Sequence, residues 1–473
     1  MTAFVALRHL ALLLASSLPA QTFAAEAARP ERIVPRIETA ADSAQQYSLY
    51  LPPDYDPARR WPVLILLDPR GRAEQTLEMA RAGAAEHGWI LISSYQSRSD
   101  DAESITIDAL QALLRETGSR YPYDPRRLYL AGMSGTAKTL WVVEKQMDGL
   151  VAGMVGSAGG RPPELGRLGK SPPRFFGTTA RYDFNFQEMH DLDAALRKQG
   201  APHRLYVTDG GHGWPDAAGF RHAIDWLELM AMRDGLAPRR EAWIDAQFAA
   251  SASEAEGIRD PADRWRRLDQ LVRDFDGLRD VDAARQEASA LASAEGTRAL
   301  FALEKRLHDE ESRYLRAFNA WVGRYNTRQV EGRRQPPPEV ESSLRELRIA
   351  RLQEQSHDPD VRVADSAMRL LQSVYAATAS YLPRAQQQAG DLARARAALA
   401  MAVRILPDRA SAHCRLAQVE ALSRAADRAF DELELCLQRG GAEQADLRGD
   451  PDWQFLRNDP RWPAMLEKAS APP

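Results

Sequence analysis

The chain has 473 residues, 44% of them hydrophobic, with 62 basic against 66 acidic side chains and a formal net charge of −4. At about 150 residues per domain, this length predicts two or three domains, each able to bury a core. The near balance of charge excludes both the basic bias of a nucleic-acid binder and a polybasic patch for anionic lipid.

At the N-terminus, Arg8 and His9 precede an apolar run from Leu10 that ends near Leu18. Small residues follow at Ala20, Thr22, Ala24, Ala25 and Ala27. This is the layout of an export signal over 1–27, cleaved between Ala24 and Ala27. The run is too short to span a bilayer as a helix, and no later segment is apolar enough to do so. A periplasmic or secreted protein without a stable membrane span is expected.

Residues 40–232 alternate strand-like and helix-like patterns. Tyr47 to Leu51 reads as a short strand, and Trp61-Pro62-Val63-Leu64-Ile65-Leu66-Leu67 as a strand buried on both faces. A helix over Glu74–Glu86, a strand over Trp89–Ser94 and a helix over Ile105–Arg115 follow. Then come an apolar strand from Arg127, a strand over Val151–Val155 closed by small residues up to Gly160, and a strand over Arg174–Thr179. A helix over Phe186–Gln199 and a last strand over His203–Thr208 complete the series. This alternation predicts a doubly wound, mostly parallel sheet covered on both faces.

Residues 233–332 lose the strand patterns and read as charged helices. Trp265, Leu268, Val272 and Phe275 fall at helical spacing and are predicted packing positions. The segment from Gly332 to Pro338 is a linker or sharp turn. Residues 339–473 are helical with an internal repeat: Ala395, Leu399, Ala402 and Pro407 recur 34 residues later as Ala429, Leu433, Cys436 and Gly441. That period, with alanines at the close helix contacts, resembles the tetratricopeptide repeat. Glu420 and His413 depart from its usual aromatics. Two such units need upstream helices and the tail, Trp453 to Leu466, to cover them. The two cysteines, Cys414 and Cys436, would lie level on antiparallel helices, so a disulfide and a buried free thiol both fit.

The residues that carry chemistry lie in 40–232. Arg127 to Met133 is an apolar strand that runs into Gly132-Met133-Ser134-Gly135-Thr136, a turn of small residues with a serine at its apex. This is the shape of a nucleophile elbow, which thrusts a serine hydroxyl out of the sheet edge. A serine needs a base, and the base needs an acid to hold it, in chain order serine, acid, histidine. Asp183 follows the strand Arg174–Thr179 and is the predicted acid, with a helix-capping aspartate as the alternative. His212 sits among glycines in Asp209-Gly210-Gly211-His212-Gly213-Trp214-Pro215, directly after the last strand, and is the predicted base. For the oxyanion, the backbone N–H of Gly135 is one predicted donor. The other is drawn from Asp68-Pro69-Arg70-Gly71-Arg72, with Arg70 first and Gly71 second, since Pro69 has no N–H.

Together these segments resemble the α/β-hydrolase superfamily, and most of all its branch of dienelactone hydrolases, feruloyl esterases and polyhydroxyalkanoate depolymerases. The resemblance rests on Leu64 to Gly71, Ala131 to Gly135, Asp183 and Gly211 to Pro215. It implies ester hydrolysis through an acyl-enzyme, with no organic cofactor and no metal. Two departures stand out. Thr136 replaces the usual glycine and would crowd the helix against the strand, and Asp68-Pro69 replaces the usual His-Gly.

The expectation is an exported serine esterase acting on a small-molecule ester. It comprises a signal (1–27), an α/β-hydrolase domain (40–232), helices of unknown role (233–332) and tetratricopeptide-like hairpins (339–473) that offer a surface to a protein partner. An inactive hydrolase-like scaffold and a serine peptidase are the alternatives.

Overall fold

The computed structural model describes residues 30–470 apart from 100, 101, 148, 170, 171, 328, 331 and 332. The predicted export signal lies outside the described residues. The chain divides into two compact units between Ala302 and Leu303.

The first unit is built on eight strands: β1 (Ile33–Thr39), β2 (Asp42–Tyr50), β3 (Trp61–Leu67), β4 (Ile90–Ser94), β5 (Tyr123–Met133), β6 (Gly153–Ser157), β7 (Arg174–Ala180) and β8 (His203–Thr208). Their order across the sheet is β1-β2-β4-β3-β5-β6-β7-β8. From β4 to β8 every pairing is parallel, whereas β1 and β2 form an antiparallel hairpin at one edge and β2 meets β4 antiparallel. All of β3 is buried, because a central parallel strand meets helices on both faces.

Successive side chains of β3 feed opposite layers. Val63, Ile65 and Leu67 join a core with Leu110 of α2 (Glu103–Arg120), Trp141 of α3 (Gly135–Met147) and Met189 of α4 (Phe186–Gln199). Leu64 and Leu66 face Leu77 of α1 (Ala73–His87) and Phe220 and Ile224 of α5 (Ala217–Arg233). Each such side chain, fully buried, contributes about 1.5–3 kcal/mol relative to exposure.

Three further helices, α6 (Glu241–Gly257), α7 (Pro261–Phe275) and α8 (Asp282–Ser293), thicken the α5 side. Ile244, Leu271 and Phe275 enter the same core as Trp226, whose indole N–H donates to Asp274 at 2.7 Å. The face predicted from helical spacing packs: Leu268 and Phe275 are buried, Val272 lies against the core, and Trp265 meets Phe301 edge-on.

The second unit takes up the latter part of α9 (Glu295–Asn326), and among its described residues the strands are confined to a two-residue ladder between Gln329–Val330 and Arg333–Arg334. Its helices are α10 (Val340–Glu346), α11 (Ile349–Gln355), α12 (Val361–Ala376), α13 (Leu382–Gln388), α14 (Leu392–Ile405), α15 (Ala410–Leu422), α16 (Ala426–Gln438), α17 (Ala442–Ala445) and α18 (Trp462–Ser470). Helices α14 and α16 start at Leu392 and Ala426, the 34-residue offset seen in the sequence. Trp453, Leu456 and Trp462 of the tail share a core with Ala429 and Leu433, so the tail covers the last hairpin. Cys414 and Cys436 are bridged, with Cα atoms 4.9 Å apart, which joins α15 to α16.

Candidate active site

The turn after β5 places Ser134 in the left-handed region, φ 56°, a conformation that costs a non-glycine residue about 1–2 kcal/mol. The turn is held from both sides. The Ser134 N–H donates to the carbonyl of Ser157 at the end of β6 (2.8 Å), and its carbonyl accepts the Lys138 N–H in the first turn of α3 (3.2 Å). A Cβ at Gly132 would lie 2.7 Å from the Ala137 nitrogen, and one at Gly159 would lie 2.3 Å from the Ser134 carbonyl oxygen. Only glycine permits both approaches.

Thr136 does not crowd the elbow; it braces it. Its hydroxyl is fully buried, accepts the Met133 N–H (2.9 Å) and shares its proton between the carbonyls of Leu67 (2.6 Å) and Met133 (2.9 Å). The side chain thus ties the end of β3 to the end of β5.

Asp183 is 1% exposed. The Nδ1–H of His212 donates to its Oδ1 at 3.0 Å, with Oδ2 at 3.2 Å. With a carboxylate as acceptor, the neutral ring carries its proton on Nδ1, which leaves the lone pair on Nε2. The N-cap of α4 is Asn185 rather than Asp183. Asp183 does accept the Asn185 N–H (2.7 Å), so it also shapes the approach to that helix. Phe184 stacks on the His212 ring, centroids 4.1 Å apart. Asn185 in turn donates its side-chain amide to the Ala158 carbonyl at 2.8 Å, next to the Ser157 that holds Ser134. A short run of contacts therefore connects the elbow to the acid and the histidine at one edge of the sheet.

The other histidines and acids here are engaged structurally. His203 is buried, with Nδ1 on the Ala201 carbonyl (2.7 Å) and Nε2 on Asp193 (3.2 Å). Burial works against the charged form of Asp193, but the hydrogen bond from His203 and nearby arginines hold its carboxyl below the usual range. Asp209 is exposed and pairs with Arg181.

The oxyanion loop departs from expectation. The Arg70 N–H donates to Asp68 Oδ1 at 2.8 Å, and the Gly71 N–H to the Asp68 carbonyl at 3.1 Å. Neither amide of this loop proposed from the sequence is turned outward: the aspartate two residues ahead closes an Asx turn on the Arg70 N–H, and a backbone turn onto the Asp68 carbonyl takes the Gly71 N–H. The Gly135 N–H opens α3, where the first amides of a helix have no partner within it.

The sequence reading missed the rest of what Asp68 does. Its Oδ2 accepts the indole N–H of Trp214 (2.8 Å) and Arg72 Nη2 (2.9 Å). A charge at the end of the most apolar strand was the available signal, since buried carboxylates require partners. Burial alone would raise the Asp68 carboxyl, but these hydrogen bonds outweigh it and hold the group below the usual carboxylate range.

Among the described residues, one group brings three metal-type donors together: Glu86, His87 and Asp225. Arg221 pairs with Glu86, and Arg240 Nη2 lies 2.6 Å from His87 Nδ1. This cationic surround opposes a metal ion. In the second unit, a groove of about 480 Å³ is lined by Tyr314, Phe318, Arg348 and Leu370 among others. It contains none of the predicted site residues.

No family model matches the chain, and no curated protein matches it. Solved structures do. A thermostable esterase aligns at 18% identity over 41% of this chain and 62% of its own, with a TM-score of 0.34. The substrate-bound fluorophosphonate-binding serine hydrolase F of Staphylococcus aureus aligns at 16% identity over 42% of this chain and 99% of its own, TM-score 0.34. The thermophilic esterase Est2 of Thermogutta terrifontis aligns at 11% over 46% and 98%, TM-score 0.37. Likeness at that level leaves function to be argued from the site itself.

Proposed function

We propose that the protein is an exported serine hydrolase of the α/β-hydrolase type, acting on carboxylic esters through an acyl-enzyme. Ser134 Oγ attacks the acyl carbonyl while His212 Nε2 takes its proton. The C–O bond to the alcohol then breaks, and the alcohol leaves with that proton. Water, activated by the same ring, releases the acid and restores Ser134. Asp183 holds the ring and stabilises its protonated form. The Gly135 N–H supports the oxyanion; a second donor comes from outside the Asp68 turn.

The observation that carries this reading is the hydrogen bond from His212 to a buried Asp183, linked through Asn185 and Ala158 to a strained serine. A serine in a left-handed turn stores backbone strain, and strain of this kind gathers at functional sites beside polar groups such as the Asp183–His212 pair. The Cys414–Cys436 bridge supports export, since disulfides persist in oxidising compartments. The 34-residue offset between α14 and α16 supports a tetratricopeptide-like reading of the hairpins and a protein partner for them.

The test is a fluorophosphonate probe with short p-nitrophenyl esters. The wild-type chain takes one adduct on Ser134 and hydrolyses the esters. Ser134→Ala does neither, with a loss of activity on the order of 10⁶-fold. A wild-type chain inert to both reagents would be a scaffold rather than an enzyme.

A further inference from the structure

We infer that Asp68 is a positioning residue for His212, acting through the indole of Trp214. This rests on the reading of His212 as the general base.

The loop from Asp209 to Pro215 has little of its own to hold it. Gly210, Gly211 and Gly213 would each meet nothing within 4 Å if they carried a Cβ, so no neighbour fills the side-chain space at these positions. Besides the Phe184 stack on the His212 ring and the Asp209–Arg181 pair, three hydrogen bonds fix the loop from outside. Tyr182 donates its N–H to the Gly210 carbonyl (3.0 Å), Asp183 holds the His212 ring, and Trp214 reaches Asp68. The first two fix the start of the loop and one ring nitrogen. Phe184, stacked on one face of the ring, sets its plane, and the backbone that carries the ring on toward Pro215 is held by the third anchor, two residues further on, which sets the approach of Nε2 to the serine. The Trp214 ring lies against Phe220 of α5, centroids 5.3 Å apart, so the indole has a fixed plane from which its N–H points at the carboxylate.

Asp68 is itself rigid. It is 1% exposed, and Oδ1 accepts the N–H groups of Arg70 (2.8 Å) and Arg72 (3.1 Å) and the Arg72 Nε (3.0 Å). Its carbonyl accepts the Ser97 hydroxyl at 2.7 Å. One residue at the end of β3 thereby gathers the loops after β3, β4 and β8. This explains an aspartate where a donor would be expected: the position serves as an acceptor for the histidine loop, at the cost of turning the Arg70 amide inward.

The experiment compares Trp214→Phe, Asp68→Asn and the double variant with the wild type. Trp214→Phe keeps the ring against Phe220 and leaves the Arg70 and Arg72 bonds intact. It is expected to lower kcat at least tenfold with KM unchanged, and to slow fluorophosphonate labelling by the same factor. Adding Asp68→Asn to Trp214→Phe should cost little more, because both break one linkage. Amide hydrogen exchange over 209–214 should rise at least tenfold in each variant while exchange in β3 and β5 stays unchanged. Additive losses, or a Trp214→Phe enzyme with wild-type kcat, would overturn the inference. If the wild type itself lacks activity, the hydrolase reading falls, and the exchange data alone then decide whether Asp68 anchors the loop.

Discussion

The hydroxyl of Thr136 and the carbonyl of Leu67 lie 2.6 Å apart across the ends of two neighbouring strands, β3 and β5. Through this contact the fifth residue of the elbow holds the serine turn against the strand that leads to the Asp68 loop. Replacing it by valine keeps the shape and removes the hydroxyl, leaving the Met133 N–H and the Leu67 carbonyl without that partner. Thr136→Val is expected to cost about 1–3 kcal/mol, the usual range for stranding buried polar groups. Urea unfolding of the two proteins checks this; equal midpoints would show that the contact contributes nothing.

The left-handed turn at Ser134 leads to opposite expectations for two substitutions that both remove the proposed nucleophile. Alanine keeps a Cβ and therefore the strain. Glycine releases it and should stabilise the fold by about 1 kcal/mol relative to alanine. Both variants should be inactive. A Ser134→Gly protein that melts below Ser134→Ala would mean that the turn is relaxed.

The stability supplied by Asp68 should depend on pH with a definite sign. Its carboxyl is held below the ordinary range in the folded chain by Arg72, Trp214 and two backbone amides, against the opposing effect of burial. A group whose proton affinity falls on folding stabilises the fold above its unfolded pKa, about 3.9, and loses that contribution as pH drops through the lower folded value. The difference in unfolding free energy between wild type and Asp68→Asn should therefore be flat near neutrality and shrink below about pH 4. Denaturant titrations at a series of pH values test this, and a difference that grew on acidification would reverse the argument.

The Cys414–Cys436 bridge closes a sequence separation of 22 residues within the last hairpin. A loop of this size, once cross-linked, loses enough unfolded-state entropy to contribute about 3 kcal/mol. Replacing both cysteines by alanine should lower the stability of the second unit by about that amount and leave the ester hydrolysis proposed for the first unchanged. Calorimetry of the paired variant, read beside its turnover, separates the two effects.

Much of the first unit was legible in the residue pattern. The limits of β3, α4 and β8 agree with expectation because their apolar runs are bounded by turn-forming residues. β1 and the first residues of β2 were not: β1 carries Pro35 and charged side chains, lies at the sheet edge and is irregular in register, so its pattern lacks the alternation of a half-buried strand. The cysteines had two readings, a bridge or a buried thiol, and only the packing of α15 on α16 decided for the bridge.

What the sequence determined by itself was local: a strand that ends in small residues around Ser134, an aspartate and then a glycine-flanked histidine after later strands, and helices that follow from spacing. Such features follow from steric freedom and hydrophobic period, which neighbours along the chain dictate. What only the tertiary structure decided was which distant groups meet. Asp68 pairs with Trp214 across 146 positions. A hydrogen bond forms where the folded sheet brings two loops within 3 Å, and no periodicity in either segment records it.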